Sequence, residues 1–285
     1  MSASSAHPRA AHLALLCWAA EQVGPVPLPH GAAVDAAKLA PPAWIADRYR
    51  LAGWITGDDR TWFSEPPRTF YGWLLEAASG YVVVLRGTES VAEWLIDADF
   101  PPRIAHHLGG EVESGFYGLY TTLALEPEPE TVGLPTALIP ALRAYCAGRH
   151  VTVTGHSLGA ALATYATLDL AAARVQSGPA APGGEQVTGV FIASPHPGDR
   201  EFAAAFAATV KDAVDYHYQP DLVGDVPWGM GYTALECVET IPANPAIPDN
   251  PASNHHAVHY AWLLCSAALD VLPEAERAAV LAGIR

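Results

Sequence analysis

Val151-Thr152-Val153-Thr154 is a short β-branched run that stops at Gly155-His156-Ser157-Leu158-Gly159 and passes without a linker into the Ala- and Leu-rich stretch Leu158 to Ala173. β-branched side chains suit a pleated surface and Ala and Leu favour helix, so the pattern predicts a strand, a tight turn and a helix. A serine on that turn has to accept strained backbone angles. The residues two before and two after it must be small if strand and helix are to approach closely. Gly155 and Gly159 meet that demand. Such a turn lifts the Ser157 hydroxyl to the carboxyl end of the strand, where open α/β sheets place their ligands.

The alternation extends in both directions. Thr69 to Glu76 and Tyr81 to Arg86, separated by Ser79-Gly80, read as a pair of strands. Residues 133–147 have helical spacing. Downstream, Gln186 to Ala193 reads as strand, Arg200 to Val210 as helix and Ala213 to Tyr218 as strand. A further strand fits Tyr232 to Thr240, and one or two helices fit the chain from Ala257 onward. Strands alternating with helices predict an α/β fold with a mainly parallel central sheet and helices on both faces. Residues 24–68, rich in Pro and Gly, show no period and read as an irregular approach to the sheet. No linker or internal repeat interrupts the pattern, so residues 1–285 read as a single domain, with Gly178 to Glu185 a surface loop.

Composition narrows the partners. Thirty acidic residues against fifteen Lys and Arg give a formal charge of −15, which repels phosphate backbones and argues against nucleic acid. Cys17, Cys146, Cys237 and Cys265 lack ligand-like spacing and read as buried free thiols. The first apolar stretch is broken by His12 and lacks a cationic flank and cleavage site, so it reads as a core helix rather than a leader. No uninterrupted apolar stretch reaches the roughly 20 residues of a membrane span. A cytoplasmic location is the default expectation. Neither GxGxxG nor a phosphate loop is present, and no cofactor is expected.

Serine is a weak nucleophile at its own pKa; a neighbouring base must take its proton, and a carboxylate must hold that base in the right tautomer. With the nucleophile on a strand-to-helix turn, the chain order is Ser, then Asp or Glu, then His. Asp221 directly follows a predicted strand, with Asp225 as the reserve acid. Beyond them the candidate bases are His255, His256 and His259, all within SNHHAVHYAWLL. Hydrogen-bond donors must also meet the charge that develops on a carbonyl oxygen under attack. The Leu158 N–H is one such donor, and Thr88, at the end of an earlier strand, offers both its N–H and its hydroxyl.

Four blocks in order, VVVLRGTES, ESGFYGLY, VTVTGHSLGAALA with GVFIASPHPGDREF, and YQPDLVGDVPWG before the terminal His, give the chain a resemblance to the class 3 lipase family. The likeness covers about Thr69 to the C-terminal helix. It implies an α/β-hydrolase fold and a serine carboxylic-ester hydrolase acting on acylglycerol-type or other esters. Ser157 would be the nucleophile, Asp221 the acid and Thr88 the oxyanion residue. Bacterial and plant members place the His five residues before a tyrosine, which selects His255 through Tyr260 and leaves His256 as second choice; the chain reads as a bacterial member. Gly224, Glu113 and His196-Pro197 depart from the family pattern. By analogy with fungal members, Val91 to Phe100 falls where an amphipathic lid lies; the stretch is short and carries three acids, so it reads as a helix packed over the site or as an interfacial lid, and transient contact with a lipid interface is one of the partners the resemblance allows.

Rival readings remain. A phospholipase, thioesterase or acyltransferase would use the same triad, and a non-catalytic binding protein could keep the fold. His255 and His259, four apart, share a helical face as metal ligands would, but no HExxH pattern or third ligand accompanies them. His156 reads as structural, its side chain pointing away from Ser157.

Overall fold

Val82-Val83-Val84 and Thr152-Val153-Thr154 lie side by side at the centre of a large sheet in the computed structural model, which describes residues 7–28, 35–58, 68–88, 102–105, 107–127, 136–177, 186–228 and 230–284. In chain order the strands are β1 Pro27–Leu28, β2 Arg50–Gly57, β3 Arg68–Ala77, β4 Gly80–Leu85, β5 Pro102–Ala105, β6 Gly110–Glu113 and β7 Ala124–Pro127. They continue as β8 Thr136–Ala137, β9 His150–His156, β10 Val187–Ile192, β11 Gly198–Asp199, β12 Ala213–Tyr218, β13 Tyr232–Thr233 and β14 Val238–Ile241. The main sheet runs in the order β14-β12-β10-β9-β4-β3-β2-β7-β8, with β1 paired to β3.

This sheet is mixed. From β14 to β4 every pairing is parallel, whereas β3, β2, β7 and β8 extend it antiparallel. At the centre of the parallel half β4, β9 and β10 bury both faces, and β4 and β10 carry the mainly apolar runs that this environment requires. Each fully buried Val or Leu in it contributes roughly 1.5–3 kcal/mol. Helices cover both faces of the sheet. On one side the helix Leu158–Ser177 packs with Ser114–Tyr120, Leu138–Tyr145 and Arg200–Thr209 around Phe116, Tyr165 and Phe202. On the other, Pro8–Val23 and Ala257–Leu264 pack together around Leu15, Leu16, Trp73 and Tyr260. The arrangement is that of an α/β-hydrolase.

Several boundaries differ from the sequence reading. Residues 50–57 form a strand inside the stretch read as irregular; Gly53 and two register shifts break its alternation, but partners on both sides hold it extended. Tyr232 to Thr240 is two strands rather than one. β13 joins a second, four-stranded sheet, β13-β11-β6-β5, while β14 borders the main one. The helix expected over 133–147 is described as Leu138–Tyr145. Of the four free thiols, Cys17 and Cys146 are buried and Cys237 and Cys265 only half-buried. Among the described residues no helix is long and apolar enough to cross a membrane. Gly178 to Glu185 and Val91 to Phe100 lie outside the described residues.

Candidate active site

Ser157 sits between β9 and the helix Leu158–Ser177 with φ at 57°, the left-handed region that costs an L-residue of order 1 kcal/mol or more. The flanking glycines explain how the turn is held. A Cβ on Gly155 would meet the Gly159 carbonyl oxygen at 2.1 Å, and one on Gly159 would meet those of Leu85 and Arg86 at 2.4 and 2.5 Å. Strand, helix and the end of β4 thus touch through backbone alone. The Ser157 N–H donates to the Ile192 carbonyl at 3.0 Å, which fixes the turn from its other side. The side chain is buried, and its Oγ has no hydrogen-bond partner.

Asp221 follows β12, as its place after AVDYHYQ suggested, and it is buried. Its Oδ1 accepts from the Val223 N–H at 3.0 Å; its Oδ2 lies 2.7 Å from His255 Nδ1 and accepts the Tyr260 hydroxyl at 2.7 Å. Burial pushes the Asp221 carboxyl up, but the charge and hydrogen bond of His255 and the two other donors outweigh it and hold the carboxyl below its ordinary value. Burial has the opposite sign for His255: it disfavours the imidazolium, Asp221 favours it, and the net direction is down. A neutral ring with Nδ1–H donating to Asp221 leaves a lone pair on Nε2, which is buried and without a partner.

His256 and His259 do not join this pair. His256 caps the helix Ala257–Leu264, its Nδ1 accepting from the Val258 N–H at 3.4 Å, and burial and His259 lower its pKa to about 4. His259 Nδ1 donates to the Ser253 carbonyl at 2.7 Å. Among the described residues no group of three or more His, Cys, Asp or Glu could hold a metal ion. Asp225, the reserve acid, lies in the short 3₁₀ turn Val223–Asp225 and makes none of the His255 contacts.

The end of β4 borders Ser157. A Cβ on Gly87 would lie 3.1 Å from Ser157 Cβ, so the residue after it, Thr88, stands next to the turn with its Oγ1 buried and unpartnered. Leu158 opens the elbow helix, where the first N–H groups have no carbonyl of their own helix to bind. Arg86 braces this turn: buried, it donates through Nε to the Phe70 carbonyl at 2.7 Å and through a terminal nitrogen to that of Gly87 at 2.8 Å.

Sequence reasoning passed over three participants. Arg86 looked like the polar end of a strand, and Tyr260 served only as a spacing mark. Glu21 comes from the first helix, 135 positions from the histidine it meets. His156, read as structural and pointing away from Ser157, is buried with its ring centroid 4.5 Å from that of His255. The family departure at Glu113 has a local explanation, since its carboxylate caps the helix Ser114–Tyr120 through the N–H groups of Gly115 and Phe116.

Comparison with known proteins adds the following. The family model described as "Lipase (class 3)" matches residues 82–230. Phospholipase A1-II 2 of Oryza sativa subsp. indica is 33% identical over 142 residues, 44% of this chain and 35% of that protein. Phospholipase A1-II 7 of the same rice is 32% identical over 45% of this chain and 36% of its own length. The chain spans about a third of the length of the curated relatives it matches. Among solved structures, M37 lipase superposes with a TM-score of 0.64 at 16% identity, covering 99% of this chain and 100% of that one. Lip2 lipase from Yarrowia lipolytica gives 0.55 at 18%, covering 87% and 81%.

Proposed function

The chain belongs to the class 3 lipase family, and from that premise we propose that it is a serine hydrolase that cleaves carboxylic esters of lipids, with Ser157 as nucleophile, His255 as base and Asp221 as acid. One observation carries the assignment. His255 Nδ1 is 2.7 Å from Asp221 Oδ2, while His255 Nε2 and Ser157 Oγ are both buried and have no partner. A buried polar atom left unpaired costs about 1–3 kcal/mol, and a reaction that uses those atoms accounts for the cost.

In the proposed mechanism Ser157 Oγ attacks the ester carbonyl carbon as its proton passes to His255 Nε2. Asp221 stabilises the imidazolium that forms. The Thr88 hydroxyl and the backbone N–H of Leu158 receive the oxyanion. Collapse expels the alcohol, which takes the proton from His255, and an acyl-enzyme remains. Water, deprotonated by His255, attacks that acyl group, the acid is released and Ser157 is restored. The spacing of five from His255 to Tyr260 supports a place with the bacterial and plant members.

A lipid interface as partner is supported by surface chemistry. Leu222, Trp228 and Met230, 54%, 61% and 45% exposed, are three of the four exposed large hydrophobic residues among those described, and all follow Asp221 within nine positions. Phospholipid is the second substrate reading, favoured by the rice relatives that carry the name phospholipase A1. Purified protein given triacylglycerol emulsion, phosphatidylcholine vesicles and short p-nitrophenyl esters tests both readings. Fatty acid release that Ser157→Ala abolishes supports the assignment, and the preferred aggregate chooses the substrate. Unchanged release by Ser157→Ala overturns it.

A further inference from the structure

A second acid–histidine pair lies against the first. Glu21, on the helix Pro8–Val23, places Oε1 2.6 Å from His156 Nδ1, and the same oxygen accepts the Gly87 N–H at 3.2 Å. The two side chains are largely buried, 17% and 4% exposed. The His156 ring lies at 34° to that of His255 with centroids 4.5 Å apart, and it meets the Tyr260 ring edge-on at 6.2 Å. Glu21, His156, His255 and Asp221 therefore form a continuous row of acid, imidazole, imidazole and acid. Gly87, the residue before Thr88, is tied to the same row.

We infer that Glu21 and His156 are positioning residues for the acyl-transfer site: Glu21 fixes the oxyanion turn through Gly87 and holds His156 as a cation against the face of His255. This inference rests on the reading of Ser157, His255 and Asp221 given above. Glu21 lies outside the residues that the family model matches, so the role comes from the packing of the first helix alone.

The electrostatics run in the direction the geometry requires. Burial alone would neutralise both members of the pair. For His156 the Glu21 charge and hydrogen bond, with help from Asp221, outweigh burial and raise the pKa. Glu21 is held below its ordinary value despite its own burial, chiefly by His156 and then by His256 and His255. The groups facing the two rings are Glu21 from the first helix, Asp221 from the loop after β12, and His256 and Tyr260 from the C-terminal segment. A cation beside His255 disfavours a second positive charge there and keeps the resting base neutral. Glu21 offsets only part of that repulsion, its charge acting on His255 more weakly than that of His156.

The test is the pH dependence of kcat/KM in Glu21→Gln, His156→Gln and the double variant. Gln at 21 keeps an oxygen for Gly87 but cannot hold His156 charged. Once that cation is lost His255 titrates more easily, so the acid limb moves to higher pH by about half a unit or more. His156→Gln moves the limb the same way, and the double variant moves it no further than either single change. Nitrogen-15 spectra of the wild-type histidines give a second readout that needs no variant, with His156 doubly protonated and His255 singly protonated at pH 7. An unmoved limb in both single variants, or a neutral His156 at pH 7, overturns the inference. Ser157→Ala run alongside separates the failures: its loss of turnover with an unmoved limb defeats only the role of Glu21 and His156, and its retained turnover defeats the triad on which that role rests.

Discussion

Tyr260 donates its hydroxyl to Asp221 Oδ2 at 2.7 Å, and the Tyr260 hydroxyl oxygen accepts the Tyr218 N–H at 2.9 Å. Five residues beyond His255, Tyr260 fastens the same carboxylate oxygen that meets the imidazole. The spacing from histidine to tyrosine is therefore a structural requirement, because His255, in the turn before helix Ala257–Leu264, and Tyr260, within that helix, must both reach Asp221.

Tyr260→Phe removes a donor from Asp221 and leaves a buried N–H unpaired, which costs about 1–3 kcal/mol; urea unfolding measures the loss. The pH dependence also changes. Asp221 has a folded pKa below its unfolded value, so its contribution is present above about pH 4 and is lost as pH falls through the folded pKa. Without Tyr260 the folded pKa is less depressed, and acid unfolding of the variant starts at a higher pH than in wild type.

Thr88→Val deletes a buried hydroxyl that has no partner at rest. Turnover of a soluble ester is expected to fall about 10²–10³-fold, while the thermal midpoint holds or rises because an unpaired polar atom has been removed. Thr88→Ser keeps most of the rate. Equal losses of activity and stability in Thr88→Val would mark Thr88 as a packing residue.

His256→Asn separates the two adjacent histidines. Asn still accepts from Val258 at the helix start, and hydrolysis is expected to persist, whereas His255→Gln loses it. The stability signature is independent. His256 is kept neutral by the fold, with a pKa of about 4 against about 6.5 when unfolded. The unfolded chain therefore binds more protons between those values, and stability falls as pH drops from 6.5 to 4. His256→Asn flattens this decline in thermal midpoints taken across that window.

Trp228→Ser probes the exposed apolar segment after Asp221. Losing a large aromatic contact with lipid costs on the order of 1.4 kcal/mol, about tenfold in the rate on vesicles or emulsion. The rate on a monomeric short-chain ester stays as in wild type. Equal losses on both substrates would place Trp228 in the fold instead of at the interface.

How much of this was legible in the sequence follows from range. The turn at Ser157 could be read because all its determinants are local: a β-branched strand, two glycines that permit backbone contact, and an Ala-rich helix. Asp221 and His255 came from chain order and spacing. Arg50–Gly57 was not legible, since its extended form depends on β3 and β7 pairing on either side rather than on its own alternation. The two-residue strands β11 and β13 carry no periodicity at all. Glu21 was hidden for the same reason on a larger scale. An acid on an apolar helix reads as an ordinary solvated side chain until the helix packs across the sheet and brings it to His156.

Covalent labelling with a p-nitrophenyl alkylphosphonate, which mimics the tetrahedral intermediate, tests the central claim most directly. Digestion and mass spectrometry are expected to find one adduct on Ser157, absent in Ser157→Ala, formed at wild-type speed in His256→Asn and slowed by about 10⁶-fold in His255→Gln. An adduct on another residue, or labelling of Ser157 at an undiminished rate without His255, would contradict the assignment of nucleophile and base.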